Sequence, residues 1–249
     1  MRLNTITKRH IRPICVLRTQ KMTNIKLHIK QLCMLFAVVF AALSVASCTD
    51  NVNEDNDSNS EFTVNWKERN AAFFDSVMTV ACTEVAQAQA QYGDQWEDHC
   101  DWRVFRSYSK RPGLGGNSHD SICVRIIERS TQVDGISPLY LDSVKVNYMG
   151  HLIPTQSYAK GRVFDHSGFY ENESHVFSDS YSVPSRFSVA NTVEGYTTAL
   201  LHMTEGDRWM VYIPQELGYT YLTQGVLPAY STLCFDMQLK AVARRGTSF

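Results

Sequence analysis

Cysteine and histidine side chains are the residues of this sequence that could bind a metal or act as nucleophiles. Neither the cysteines nor the histidines have the spacing of zinc ligands. The sequence also contains no G-x-S-x-G motif and no phosphate-binding loop. Four well-separated cysteines allow three disulfide pairings, so no disulfide is predicted. We interpret these side chains as structural and predict no metal site: Cys82, Cys100, Cys123, Cys234, His99, His151, His166 and His175.

One further cysteine, Cys48, follows an apolar segment that is typical of a secretion signal. Lys26, His28 and Lys30 precede an apolar run from Leu32 to Val45, which is shorter than a membrane span of about 20 residues. The residues 45–48, Val-Ala-Ser-Cys, resemble a bacterial lipobox. We therefore predict a signal peptide over 1–47, with a possible start at residue 22. Cys48 would become the lipidated first residue of a lipoprotein in the cell envelope.

A polar segment follows the predicted lipidation site. Residues 49–60 contain one apolar residue and are rich in Asp, Asn and Ser, so they cannot bury enough surface to become ordered. We predict a disordered acidic tether over 48–60. Such acid-rich stretches also resemble surface-export signals of Bacteroidetes lipoproteins, although a solvated spacer would have the same composition. The outer membrane is favoured over other envelope locations, and the side of the membrane stays open.

The charge balance of the chain argues against nucleic acid as a partner. The sequence has 24 Lys and Arg residues against 25 Asp and Glu residues. It also lacks a stripe dense in Lys and Arg with interleaved aromatic residues, which is the usual footprint of a nucleic-acid surface. Membrane attachment is predicted through the lipid anchor alone.

Residues 61–99 have the pattern of an amphipathic helical segment. Asn65 and Glu68 have the spacing of a capping box, and Gly93 is a natural end for the helix. Between them, apolar residues recur at helical spacing. This stripe must be covered, either by the domain that follows or by another protein, and docking on its own domain is favoured. The stripe consists of Trp66, Phe73, Val77, Ala81 and Val85.

Beyond Gly93 the apolar period changes to two, which indicates strands. One short helix is predicted within this region, over Glu194 to Met203. Several antiparallel strands around one short helix predict an α+β domain, which we place at 100–245. The alternating residues are Trp102, Val104 and Tyr108; Ile122, Val124 and Ile126; Val144, Val146 and Tyr148; Trp209, Val211 and Ile213; and Leu233, Phe235, Met237 and Leu239.

The order of several short motifs in this domain is more specific than any one of them. Together they resemble the FKBP-type peptidyl-prolyl cis-trans isomerase domain. That resemblance implies an antiparallel sheet curved around one short helix, here preceded by the amphipathic N-terminal helix. The matching segments are 144–150 (V-x-V-x-Y-x-G), 163–167 (F-D turn), 184–189 (strand), 192–196 (helix entry), 203–206, 209–214 (ending in Ile-Pro), 217–219, 225–228 and 232–236 (T-L-x-F-D).

The resemblance implies rotation of X-Pro peptide bonds in an apolar pocket, without a cofactor. Unaided rotation faces a barrier of about 18–20 kcal/mol, and an environment that strips water from the carbonyl favours the twisted amide. Asp165 and Tyr219 would be the polar, catalytic members, although Asp165 is equally suited to capping a turn. The implied substrate-binding residues are Tyr148, Phe164, Phe187, Val193, Tyr196, Val226, Leu227 and Phe235.

Four positions depart from the family pattern and indicate weaker or altered proline specificity. Tyr196 replaces the usual tryptophan of the pocket floor and adds a hydroxyl that needs a partner. Ser185 stands where an aromatic residue is expected, His166 interrupts the turn after Asp165, and Thr220 replaces the glycine after Tyr219. Two loops are also longer than in the family, namely 154–162 and 168–183.

Three functional hypotheses remain open on this basis. The first is a membrane-tethered prolyl isomerase or foldase that binds proline-containing segments of exported proteins. The second is a module that binds peptide or protein through the altered pocket with little catalysis. The third is an accessory lipoprotein in which the fold serves as a scaffold. Catalysis requires Phe164, Asp165 and Tyr219 to converge on an open cleft.

Overall fold

The computed structural model describes residues 60–110, 116–132, 134–168 and 182–249. The predicted signal segment 1–47, Cys48 and the tether as far as residue 59 lie outside the described residues. The same is true of residues 169–181, which make up most of the second lengthened loop, and of His175 within it. Within the described ranges, no helix combines the length and apolar character needed to cross a membrane.

The described residues form one antiparallel sheet and three helices, which confirms the predicted α+β class. The sheet order is β1-β2-β6-β7-β3-β4, and β5 also pairs with β3. The strands are β1 Trp102–Arg106, β2 Ser121–Glu128, β3 Ser143–His151, β4 Val163–His166, β5 Ser185–Ser188, β6 Arg208–Ile213 and β7 Leu233–Ala243; the helices are α1 Trp66–Tyr92, α2 Trp96–His99 and α3 Glu194–His202.

Strand β2 shows why the sheet is buried on both faces in its central part. Its residues Ile122 and Val124 face the same core as the apolar side of α3. Cys123, between them, points to the opposite face and packs in a cluster with Phe74 and Ala81 of α1. Successive strand residues point to opposite faces. The two helices therefore cover opposite faces of this part of the sheet, and docking of α1 on its own domain is confirmed.

The ends of α1 follow only part of the sequence prediction. The helix stops at Gly93, whose φ of 56° is a left-handed conformation that suits glycine. The capping box predicted for Asn65 and Glu68 is wrong. A capping residue normally has an extended backbone, which directs its side chain at the first turn of the helix. Asn65 instead has a φ of 48°, and its side chain makes no capping hydrogen bond.

Strand β1 is shorter than its alternating pattern indicated. Tyr108 was predicted to continue the strand, but the strand ends at Arg106 and Tyr108 is exposed. The Ser107 N–H still donates to the Asp120 carbonyl (2.9 Å), in register with the pairing of β1 and β2, before the chain turns. The Tyr108 N–H then faces the hydroxyl of Thr198 on α3 (3.5 Å).

The four described cysteines form no disulfide with one another, and three of them are buried. Cys123 and Cys234 lie on β2 and β7, as their strand pattern predicted. Burial raises the pKa of the Cys234 thiol well above its ordinary value, so this side chain behaves as a small apolar residue. Among the described residues, no group of three or more His, Cys, Asp or Glu side chains could hold a metal ion.

Candidate active site

The N-terminal turn of α3 places Tyr196 at the centre of an aromatic cluster. Tyr196 is 4% exposed. Its ring meets the rings of Phe235, Phe187 and Tyr148 edge to face, with centroids 5.1, 5.9 and 6.4 Å away respectively. Edge-to-face contacts are a preferred geometry of aromatic pairs. The cluster forms an apolar floor with walls, built from three strands and one helix.

Two of the walls depend on a glycine of β3. Gly150 on β3 pairs with Phe235 on β7 and with Asp165 on β4. A Cβ atom at Gly150 would lie 2.5 Å from the Phe164 ring and 2.7 Å from the Phe235 ring. Only glycine therefore lets these two rings meet, at a centroid distance of 5.5 Å. The signal for this role was the glycine that ends the V-x-V-x-Y-x-G pattern.

The Asp165 carboxylate is held at the edge of the aromatic cluster by two hydrogen bonds. The Tyr148 hydroxyl donates to Asp165 Oδ2 (2.8 Å), and the His166 backbone N–H donates to Oδ1 (2.9 Å). The second bond is the local turn contact expected of such an Asp. Ser167 fixes the same turn, because its hydroxyl accepts the Tyr148 N–H at 2.9 Å.

Burial and the Asp165 charge keep the neighbouring tyrosines protonated. Burial raises the pKa of Tyr148 well above its ordinary value, and the hydrogen bond to Asp165 raises it further. Burial followed by the negative charge of Asp165 also raises the pKa of Tyr219. Both hydroxyl groups are therefore hydrogen-bond donors at neutral pH. The structure thus brings Tyr148, Phe164, Asp165 and Tyr219 to one place.

The loop that carries Tyr219 contains two residues with unusual backbone angles. Thr220, which stands at the family's glycine position, has a φ of 54°, and Tyr230 has a φ of 63°. The left-handed region is costly for non-glycine residues, and most of all for β-branched ones. The Tyr230 N–H donates to the Thr220 carbonyl at 2.7 Å, so the two strained residues support each other.

The remaining predicted contacts lie at the rim of the cluster. Val193, just before α3, is partly buried against the core. Val226 and Leu227 point in different directions: Leu227 is 2% exposed and belongs to the core, whereas Val226 is 50% exposed. Val226 is thus a surface residue beside the pocket, and Leu227 supports the pocket from within.

Tyrosine at the floor position brings a hydroxyl into the cluster that has no partner among the described residues. The hydroxyl of Tyr196 is buried and forms no hydrogen bond within the described residues. Its burial raises its pKa far above the ordinary value, so it stays neutral. The arrangement as a whole is an apolar aromatic cluster with hydroxyl groups and a carboxylate at one edge, and none of these side chains is a nucleophile poised for attack.

Comparison with known proteins identifies the same region of the chain. Residues 137–240 match the family model of FKBP-type peptidyl-prolyl cis-trans isomerase. The FKBP-type 22 kDa peptidyl-prolyl cis-trans isomerase of Escherichia coli (strain K12) is 34% identical over 138 residues, which are 55% of this chain and 57% of that protein. The macrophage infectivity potentiator of Trypanosoma cruzi is 32% identical over 111 residues, or 44% and 48% of the two chains.

The chain spans about half the length of the curated relatives it matches. Among solved structures, FkpA from Escherichia coli aligns with a TM-score of 0.40 and 21% identity, covering 88% of this chain and 82% of that one. The family match includes α3, strands β3 to β6 and most of β7. Residues 137–240, which contain every member of the aromatic cluster, therefore match the FKBP-type peptidyl-prolyl cis-trans isomerase family.

Proposed function

We propose that this protein is a peptidyl-prolyl cis-trans isomerase, or foldase, that acts on X-Pro bonds of exported proteins. The observation that carries the proposal is the position of Asp165 and Tyr219 beside an apolar aromatic cluster. The cluster has a composition that suits a proline ring, and we place the peptide carbonyl at the edge that carries the Tyr219 hydroxyl. The reaction breaks no covalent bond, so the absence of a poised nucleophile fits it.

The chemistry follows from the loss of amide resonance during rotation. A planar amide separates charge between oxygen and nitrogen, and the twisted transition state has less of this separation. A pocket of aromatic walls that excludes water therefore favours the twisted form over the planar one. The Tyr219 hydroxyl holds the carbonyl of the bound peptide, and Asp165 orients the Tyr148 hydroxyl at the wall.

A refolding assay without a coupling protease tests this proposal. The full chain, purified in mild detergent, should accelerate the proline-limited refolding of a model protein. Asp165→Ala combined with Tyr219→Phe should reduce this acceleration at least about tenfold, because it removes a fixed carboxylate and a donor. The matched control is Tyr92→Phe with Asp94→Ala, in the turn that ends α1. A folded wild-type chain without acceleration would contradict the proposal.

The altered floor favours a second candidate, a peptide-binding module with little catalysis. Its basis is the buried Tyr196 hydroxyl, which has no partner within the described residues and would bind a peptide carbonyl more readily than it would assist rotation. This candidate predicts that proline-containing peptides bind the chain, and that Tyr196→Phe weakens binding, while refolding is not accelerated. Saturable binding with no acceleration would select it over the isomerase.

We further propose that the protein is anchored in the cell envelope through acyl chains on Cys48. Residues 48–60 would form the tether, 61–99 the N-terminal helical segment and 100–245 the isomerase domain. Supporting this location, a relative from Legionella longbeachae, 30% identical over 121 residues, is named outer membrane protein MIP. A tether of this length and composition would let the pocket reach unfolded chains near the membrane.

A further inference from the structure

Residues 60–92, which we call the N-terminal segment, contact two loops beside the aromatic cluster directly and reach a third through His119. The first loop, 152–162, leads into β4 with Phe164 and Asp165. The second, 214–220, carries Tyr219 and is the one reached through His119. The third, 225–232, carries Leu227 and leads into β7 with Phe235. A different part of the segment reaches each loop.

The first turn of the segment holds the 152–162 loop. Glu61 Oε1 accepts hydrogen bonds from the Ser157 backbone N–H (3.1 Å) and from the Ser157 hydroxyl (2.9 Å). Phe62, which is buried, packs its ring 5.8 Å from the ring of Tyr158. The Arg162 guanidinium lies over the same Phe62 ring at 5.4 Å. Phe164 follows Arg162 by only two residues.

The start of α1 holds the 225–232 loop through buried polar contacts. The Trp66 indole N–H donates to the Ser231 hydroxyl (3.0 Å). Asn70 is fully buried, and its side-chain oxygen accepts the Thr232 N–H (2.8 Å) while its backbone carbonyl accepts the Thr232 hydroxyl (3.1 Å). A polar residue inside an apolar stripe is costly unless it is paired. Its position indicates a specific docking role.

The third turn of α1 reaches the 214–220 loop through a histidine. His119 Nε2 lies 3.1 Å from Asp75 on α1, and His119 Nδ1 lies 3.1 Å from Glu216. The imidazole is 13% exposed and packs against the Phe74 ring at 5.2 Å. Glu216 belongs to the short 3-10 turn three residues before Tyr219. This bridge therefore joins α1 to the backbone that positions Tyr219.

We infer that the N-terminal segment is a positioning element of the isomerase pocket, with Glu61, Asn70 and His119 as its positioning residues. The inference rests on the proposed function. Surface loops open at low free-energy cost unless something orders them. A displacement of about 1 Å in a pocket can reduce the rate by up to about a hundredfold. The segment fixes two of the loops directly and the third through His119.

The test compares variants of the full chain in the refolding assay and by amide hydrogen exchange. Asn70→Ala removes the acceptor for Thr232, and Glu61→Ala removes the acceptor for Ser157. Glu61→Gln keeps an oxygen at that position and is the conservative rescue. The matched control is Val85→Ala, which weakens the packing of α1 on Cys100, far along the helix from the three loops.

We expect Asn70→Ala to lower kcat/KM about tenfold and Glu61→Ala about threefold. Glu61→Gln should restore most of the wild-type value. Exchange should accelerate in 225–232 for Asn70→Ala and in 152–162 for Glu61→Ala. Val85→Ala should lower the melting temperature. Its kcat/KM and the hydrogen-exchange rates of the loops should stay within twofold of the wild-type values. Activity losses that simply follow the loss of stability in all variants would overturn the inference.

The assay also separates this inference from the proposed function. A folded wild-type chain that accelerates no refolding contradicts the isomerase proposal alone. In that case hydrogen exchange still tests whether the segment orders the loops. Faster exchange confined to the 152–162 and 225–232 loops supports the positioning role. Unchanged loop exchange in both Asn70→Ala and Glu61→Ala overturns it, because the contacts would then not order the loops.

Discussion

The hydroxyl of Tyr196 is the residue-scale feature that most distinguishes this pocket. It is buried among aromatic rings and has no hydrogen-bond partner in the described part of the chain. An unpaired buried hydroxyl costs about 1–3 kcal/mol, because it loses its contacts with water and gains none in return. The neighbouring Tyr148 hydroxyl, by contrast, is satisfied by Asp165 at 2.8 Å.

This difference predicts opposite effects for two matched substitutions. Tyr196→Phe removes the unpaired hydroxyl and should raise the free energy of unfolding by about 1 kcal/mol. Tyr148→Phe removes a formed hydrogen bond and should lower it by about 1 kcal/mol. Urea unfolding of the two variants measures both changes. A loss of stability in Tyr196→Phe would show that the hydroxyl has a partner in solution.

Thr220 is a second residue whose backbone predicts a stabilising change. Its φ of 54° is costly for a β-branched side chain. Thr220→Gly should raise the free energy of unfolding by about 1 kcal/mol, since the relieved strain exceeds the entropy cost of glycine. Thr223→Gly, in the same exposed loop but without a positive φ, should leave stability unchanged or lower it. Equal effects in both variants would contradict the strain argument.

At the scale of elements, the fit of α3 against the sheet depends on a glycine in its first turn. A Cβ atom at Gly195 would lie 2.3 Å from Ile213 and 3.2 Å from Ile122. Gly195→Ala should therefore lower the free energy of unfolding by about 1–3 kcal/mol through overpacking. The control is Gly116→Ala, which meets only the flexible end of Arg106. Similar melting temperatures for the two variants would contradict this account.

The bridge between α1 and the 214–220 loop predicts a pH dependence of stability. Burial alone would lower the pKa of His119, but the hydrogen bonds that its ring donates to Glu216 and Asp75 outweigh burial and raise this pKa above 6.5. The folded-state pKa is thus higher than the unfolded one. The resulting stabilisation is complete below about pH 6.5 and is lost as the pH rises through the raised folded value.

Stability curves of wild type and His119→Gln between pH 5 and 8.5 measure this contribution. The difference between them should shrink as the pH rises, by less than about 1 kcal/mol, because Asp75 and Glu216 are largely exposed and solvent screens the pair. A difference that is constant over this range would mean that His119 acts through packing alone.

The sequence predicted elements well where one face of each is buried, and poorly where contacts join distant segments. Apolar residues with a period of two predicted β2, β3, β6 and β7. Apolar residues at helical spacing predicted α1 and α3 with nearly correct ends. The aromatic cluster followed from the family's motif order. The partner of Asn70 could not be predicted, because Thr232 lies 162 positions away. The role of His119 was missed for the same reason, since both of its partners belong to other elements.

For the whole molecule, the proposed lipid anchor predicts where the protein is found in cells. Cys48→Ala removes the thiol that would carry the acyl chains, so the protein should move from the membrane fraction to the soluble fraction. The control is Cys82→Ala, which removes a thiol from the folded part and should leave the protein in membranes. Unchanged membrane association of Cys48→Ala would contradict the anchor.

The position of β7 affects how the chain can be synthesised and moved. This strand follows all the others in sequence, yet it lies in the middle of the sheet between β6 and β3. Until Leu233–Ala243 is available, β3 and β6 remain two open edges. The sheet therefore cannot close on a growing chain, and its long-range pairings form slowly. A nascent chain that stays open until its last strand has emerged can still be threaded through a translocation pore.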